Sequence, residues 1–124
     1  MSAVSASSVD TVNRRTAVRC LKLAESYLSS NDYGNALSQA ELGLSYDESV
    51  ADLWYIKAAA KSGLMEPKAE ILPLVMKAMT EGEWVDYNRD GARILYADLL
   101  CDMGNYDQAV AILDSKPFIL NSFV

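Results

Sequence analysis

Apolar positions along this chain recur at steps of three and four, and short clusters of turn formers interrupt them. Ala17, Cys20, Leu21, Ala24, Tyr27 and Leu28 fall on one face of a helix, with Lys22, Glu25 and Ser29 beside it. The Ser29-Ser30-Asn31-Asp32 cluster breaks that helix. Ala36, Leu37, Ala40, Gly43 and Leu44 define a second. A glycine inside a helix costs about 1 kcal/mol relative to Ala, so Gly43 predicts close approach of a neighbouring helix. After a turn at 45–49, Val50, Leu53, Trp54 and Ala58 start a third helix, which ends near Ser62-Gly63. Glu66-Pro67 reads as the start of a fourth, because proline suits a first helical turn. Ile71, Leu72, Val75, Ala78 and Met79 continue it. Pro73 leaves two readings open, a kink at that point or a start only near Leu72. A polar connector from Glu81 to Arg89 holds Trp84 and Tyr87. Ala92, Tyr96, Leu99, Leu100 and Met103 define a fifth helix, stopped by Gly104-Asn105. Ala109, Val110, Ile112 and Leu113 define a sixth, ended by Lys116-Pro117. No segment alternates apolar and polar residues long enough to argue a strand. The expected fold is therefore all-α, six helices in antiparallel pairs.

Composition supports that reading and narrows the function. A chain of 124 residues fits one domain or part of a longer repeat array, and 51% hydrophobic residues supply a core. The Ser/Ala-rich segment 1–9 is expected to be loose, with the helical domain at 10–117 and an apolar tail at 118–124. The net charge of -6 opposes binding to a phosphate backbone, so no nucleic acid partner is expected. The one basic cluster, Arg14, Arg15, Arg19 and Lys22, reads as the solvated face of the first helix. Cys20 and Cys101 are far apart and sit in apolar helical patterns, which predicts two buried, reduced thiols and a reducing compartment. The N-terminus lacks an apolar run after a basic start, and no window approaches 18 consecutive apolar residues. No secretory signal and no membrane span are expected, and the expected location is cytoplasmic.

Candidate chemistry is sparse. The absence of His removes the usual general base and the commonest metal ligand. Neither cysteine has an apparent activating partner, and no phosphate-cradling glycine loop is present. Asp98 and Asp102 stand four apart on a helix, while Glu81, Glu83, Asp86 and Asp90 cluster at the connector without the spacing of a calcium loop. Solvated acidic surface is the simpler reading. No catalytic, cofactor or metal residues are assigned, and an enzyme is not expected.

The chain also repeats itself. Ala24, Tyr27, Leu28, Asn31, Asp32, Tyr33, Ala36 and Leu37 align with Ala97, Leu100, Cys101, Gly104, Asn105, Tyr106, Ala109 and Val110 at a constant offset of 73 residues. Two 34-residue units plus five extra residues span that offset. The pattern resembles the tetratricopeptide repeat family, whose 34-residue helix-turn-helix unit carries W-x2-L-G-x2-Y, then A-x3-F, then P. In a first unit (17–50), Leu23, Ala24, Tyr27, Asp32-Tyr33 and Ala36 match; Cys20 stands at the Trp place and Glu48 at the Pro place. In a third (90–123), Tyr96, Ala97, Leu100, Asn105-Tyr106, Ala109 and Leu113 match. The middle unit (51–89) departs from the pattern. Trp54 and Ala58 fit, Lys57 and Lys61 stand where Leu and Tyr belong, and the second helix fits only after an insertion, with Val75 and Ala78 as packing residues.

The resemblance implies a short right-handed superhelix of stacked pairs and a non-enzymatic scaffold or adaptor. Its first helices would line a concave groove for a peptide or helix of a protein partner. The lining candidates are Leu21, Glu25 and Leu28, then Tyr55, Ala59 and Ser62, then Ile94, Asp98 and Asp102. Tyr55 and Ile94 would offer apolar contacts and the acids would attract a basic segment. Relatives that clamp chaperone C-termini use Lys, Arg and Asn on this face. Here those places hold Leu21, Glu25, Ile56, Gly91 and Leu95, so that clamp is not implied. A chaperone-like carrier for a secretion substrate and a homo-oligomer joined through the 118–124 tail are the alternatives. The tail could start a further helix, tuck into the groove or pair with a second copy.

Overall fold

The computed structural model describes residues 2–114, with side chains from residue 9 onward. It contains six helices: α1 (Ser2–Ser29), α2 (Tyr33–Tyr46), α3 (Ala51–Gly63), α4 (Lys68–Thr80), α5 (Arg89–Asp102) and α6 (Tyr106–Asp114). The protein is all-α. The nearest thing to a strand among the described residues is an isolated parallel bridge between Val50 and Glu83. Each helix packs on the next in sequence, and α1 also touches α3.

The helix ends explain why the chain reverses where it does. Tyr27 O accepts from Asp32 N at 2.8 Å, Lys61 O from Glu66 N at 3.0 Å, and Leu100 O from Asn105 N at 2.8 Å. Each of these bonds closes a left-handed residue into the turn: Asn31 (φ 60°), Met65 (φ 63°) and Gly104 (φ 82°). The three turns are the same C-terminal motif, spaced 34 and 39 residues apart. Asp32 then caps α2 and Asn88 caps α5 with a side-chain oxygen on Asn35 N and Gly91 N.

The insertion in the middle stretch lies mostly later than expected. The buried set Ile71, Val75, Ala78 and Met79 on α4 follows Ala36, Ala40, Gly43 and Leu44 on α2 by 35 residues, so only one extra residue precedes α4. The other four fall in the connector 81–88. Pro73 sits inside α4, which begins at Lys68 and not near Leu72. Proline at that position removes the bond to the carbonyl of Ala69, which is exposed and open to water.

The main core joins Ala17, Leu21 and Ala24 of α1 to Ala36 and Ala40 of α2, Leu53, Ile56 and Ala60 of α3, and Ile71 and Val75 of α4. Small residues allow the approach. A Cβ on Gly43 would stand 2.8 Å from Leu53 Cδ1 and 3.0 Å from Cys20 Cβ, which accounts for a glycine in mid-helix. A smaller cluster, Ala97, Leu100 and Ala109, holds α5 to α6.

The structure departs from the sequence pattern at several places. α1 extends back to Ser2, so residues 2–9 are helical; they contain no Pro or Gly to stop a helix begun at Val12 and Ala17. Cys20 is buried against α2 at Gly43, but Cys101 is exposed at the edge of a cavity. The basic cluster is only partly solvated. Arg14 donates to Ser49 Oγ at 3.1 Å and lies 3.6 Å from Glu83, and Lys22 pairs with Asp86 at 2.7 Å. Lys57 and Lys61, at apolar places of the pattern, turn their ammonium groups to Glu41 (3.5 Å) and Glu66 (2.9 Å) while their stems stay against the helices. The apolar tail 118–124 lies outside the described residues.

Candidate functional site

A cavity of about 410 Å³ opens between α3, α5 and α6, lined by Tyr55, Ile94, Leu95, Asp98, Cys101 and Leu113 among others. Ile94 is 58% exposed, and Asp98 is exposed beside it. Both lie on α5, four residues apart on one face.

Tyr55 is held in place by residues distant in sequence. Its ring meets Trp84 edge-on at 6.3 Å and Tyr87 at 5.1 Å, both from the connector. The connector is fixed in turn by Asp52, in the first turn of α3 and fully buried. The Asp52 carboxylate accepts from Val85 N (2.7 Å), Asp86 N (2.8 Å) and Tyr87 N (2.7 Å). Three charge-assisted bonds compensate the burial of this charge. Glu83 N donates to Ser49 O and Ala51 N to Glu83 O, which tie the connector to the start of α3. Gly82 turns the chain at φ 80°, with Ser49 O so close that a side chain would collide. Burial pushes the Tyr55 phenol up from its ordinary range, leaving it neutral at physiological pH.

The lining candidates divide. Tyr55, Ile94 and Asp98 meet at one cavity. Leu21 does not reach any surface: Ala17, Leu21 and Ala24 form the stripe that α1 buries, so Leu21 is core. Leu28, Ala59 and Ser62 are half-buried and Asp102 is exposed, and none of them lines the cavity. Glu25 is half-buried among α1, α3 and the connector. Its Oε2 is buried with no hydrogen-bond donor on it. Burial, and then the neighbouring Asp86 carboxyl, push Glu25 up to about 7. The protonated Glu25 carboxyl is a donor for Asp86, which together with Lys22 holds Asp86 below its ordinary value. Asp86 in turn raises Lys22. The acids of the connector are therefore structural at Asp86 and solvated at Glu83.

Sequence reasoning missed Asp52 and Arg93. Asp52 stands between Ala51 and Leu53-Trp54, an acid in a helical first turn like any other. Its partners are backbone N–H groups 33–35 residues away, which carry no residue signature. Arg93, on α5, is 5% exposed and donates to Asp90 at 3.2 Å.

Among the described residues no group of three His, Cys, Asp or Glu side chains is arranged to hold a metal ion. None of the described helices is long and apolar enough to cross a membrane. An uncharacterized protein of Treponema pallidum (strain Nichols) is 32% identical over 92 residues, which cover 73% of this chain and 12% of that protein. The chain thus corresponds to a small part of the relative's length. No family model matches the chain, and no solved structure matches it.

Proposed function

We propose that this chain is a non-enzymatic protein-interaction module of the tetratricopeptide kind, which holds a peptide or helix of a partner against α3 and α5. The observation that carries the reading is the cavity at Tyr55, Ile94 and Asp98. It joins first-helix positions of two successive units, as a groove ligand requires. An apolar floor with an acid at its edge suits a segment in which apolar and basic residues alternate along the exposed side. The thrice-repeated turn at 34- and 39-residue spacing supports the repeat architecture, as do the small residues Ala24, Ala36, Ala97 and Ala109 at close helix contacts. Ile94 acts as the apolar anchor, Tyr55 as the wall beneath it, and Asp98 attracts Lys or Arg.

Selection of displayed random peptides on the immobilised chain tests this. Sequences pairing a large apolar residue with Lys or Arg should be enriched, and the enrichment should vanish on Ile94→Glu. Ile94 is exposed, so that variant should fold. Equal enrichment on wild type and Ile94→Glu would remove the cavity as the site.

A further inference from the structure

The last helix pair repeats the first, but α2 packs on both α1 and α3 whereas α6, among the described helices, makes its main contact with α5. On α2, the residues Tyr33, Leu37 and Glu41 form a stripe at steps of four; Tyr33 and Leu37 are half-buried, and Glu41, though exposed, reaches α3. The Tyr33 ring lies against the backbone of Gly63, so closely that any side-chain carbon on Gly63 would collide with it. Leu37 packs on the core. Glu41 pairs with Lys57 at 3.5 Å. At the opposite end of the same contact, Leu53 fills the space left by Gly43. The pairings run in opposite directions along the two helices, so α3 lies antiparallel on α2.

The 73-residue offset carries this stripe to Tyr106, Val110 and Asp114 on α6. There it is open: Tyr106 is 64% exposed, Val110 56%, and Asp114 is exposed as well. None of the three lines the α3–α5 cavity. The face thus keeps the aromatic, aliphatic and acidic residues that hold a helix on α2.

We infer that the Tyr106–Val110–Asp114 stripe is a second docking surface, for an amphipathic helix of a partner protein that carries a Lys or Arg and, six residues later, a Gly or Ala. The spacing is that of Lys57 and Gly63 on α3. The basic residue answers Asp114 as Lys57 answers Glu41. The small residue admits the Tyr106 ring as Gly63 admits Tyr33. Between them α3 carries Ala58, Ala59 and Ala60; equally small residues in the partner would let its backbone approach Val110. The partner helix runs antiparallel to α6.

A helix-stabilised synthetic peptide with the sequence of residues 50–64 is the probe, titrated into the full chain while the Tyr106 and Val110 NMR signals are followed. Saturable shifts at both residues are expected, with a Kd below about 1 mM. Val110→Glu should weaken binding about tenfold or more, and Ile94→Glu should not, which separates this surface from the α3–α5 cavity. A peptide carrying Lys57→Glu should bind wild type more weakly and recover on Asp114→Lys. Absence of shifts at 1 mM peptide, or shifts that survive Val110→Glu, would overturn the proposal. So would self-association of the chain through these residues, which makes a second copy the occupant. Binding that requires deletion of residues 115–124 would also overturn it, by making that segment the occupant.

Discussion

The two ends of the molecule build the same helix–turn–helix from equivalent residues and bury it differently. At the first pair, Ala24, Ala36 and Ala40 are sealed between α1, α2 and α3, within a core that runs on to α4. At the last pair, Ala97, Leu100 and Ala109 form a cluster of their own, and Tyr106, Val110 and Leu113 face outward. The turn is identical at both ends, so local sequence specifies the turn and does not specify burial. Coverage by the next helix does that. Acids divide by coverage in the same way: Asp52, on α3 in the middle of the molecule, is buried under three N–H donors, and Asp98 is exposed at the cavity beside the open end.

The largest expected difference between covered and open regions is at those two acids. Asp52→Ala leaves three connector N–H groups without their acceptor and should cost about 3–5 kcal/mol by urea unfolding. Asp98→Ala should stay within about 0.5 kcal/mol. Equal effects would mean that the connector is not held by Asp52. Overpacking should come next. Ala36→Leu, with no space around it, should cost about 2–3 kcal/mol, whereas Ala109→Leu should cost about 1 because the open side of α6 lets it shift. Ala97→Leu, where α5 meets α6, should fall in the same range of about 1–3 kcal/mol. If Ala109→Leu costs as much as Ala36→Leu, the open end is packed as tightly as the covered one.

The thiols offer a kinetic version of the comparison. Burial raises the Cys20 thiol and shields it, while Cys101 is exposed beside the cavity. Under native conditions Cys101 should react with a thiol reagent much faster than Cys20. Similar rates at both positions would contradict the difference in burial.

The smallest effect belongs to pH. Glu25 is held up to about 7 in the fold, from an ordinary 4.5, so the folded state binds its proton more tightly than the unfolded state does. Stability from this group is complete below about pH 4.5 and is lost as pH rises through about 7. Asp86 works in the opposite direction: its value is lowered, and its contribution is lost as pH falls through that lowered value. Between pH 6 and 8, wild type should therefore lose melting temperature relative to Glu25→Gln. Parallel melting curves for the two proteins across that range would mean that Glu25 titrates in the ordinary carboxyl range.

Much of the fold was legible because its signals are local. The three-and-four spacing gave six helices, Gly43 gave a close contact, and Glu66-Pro67 gave the start of α4. What was not legible depends on contacts between distant segments. Leu21 and Leu28 share a stripe with Cys20 and Ala24, and no pattern in α1 alone says which residues α2 and α3 will cover. Cys101 sits in the same kind of stripe as Cys20, yet it has no helix over it. Of the proposed groove, Tyr55, Ile94 and Asp98 meet because α3 and α5 share one side of the molecule. Asp102, one turn beyond Asp98, does not reach the cavity. In sequence the connector reads as a solvated acidic loop, because backbone N–H groups, the ligands of Asp52, leave no mark there.

The central claim is that the α3–α5 cavity binds an apolar–basic segment, and calorimetric titration of a selected peptide tests it most directly. Wild type should bind with an affinity that weakens with added salt without vanishing, since charge pairs at Asp98 are screened and the contact at Ile94 is not. Ile94→Glu should reduce affinity by about 2 kcal/mol or more, and Asp98→Asn by about 0–1 kcal/mol. Tyr55 is a poorer probe, because its packing on Trp84 and Tyr87 ties it to stability. Unchanged affinity in both Ile94→Glu and Asp98→Asn, with the fold intact by circular dichroism, would contradict the account.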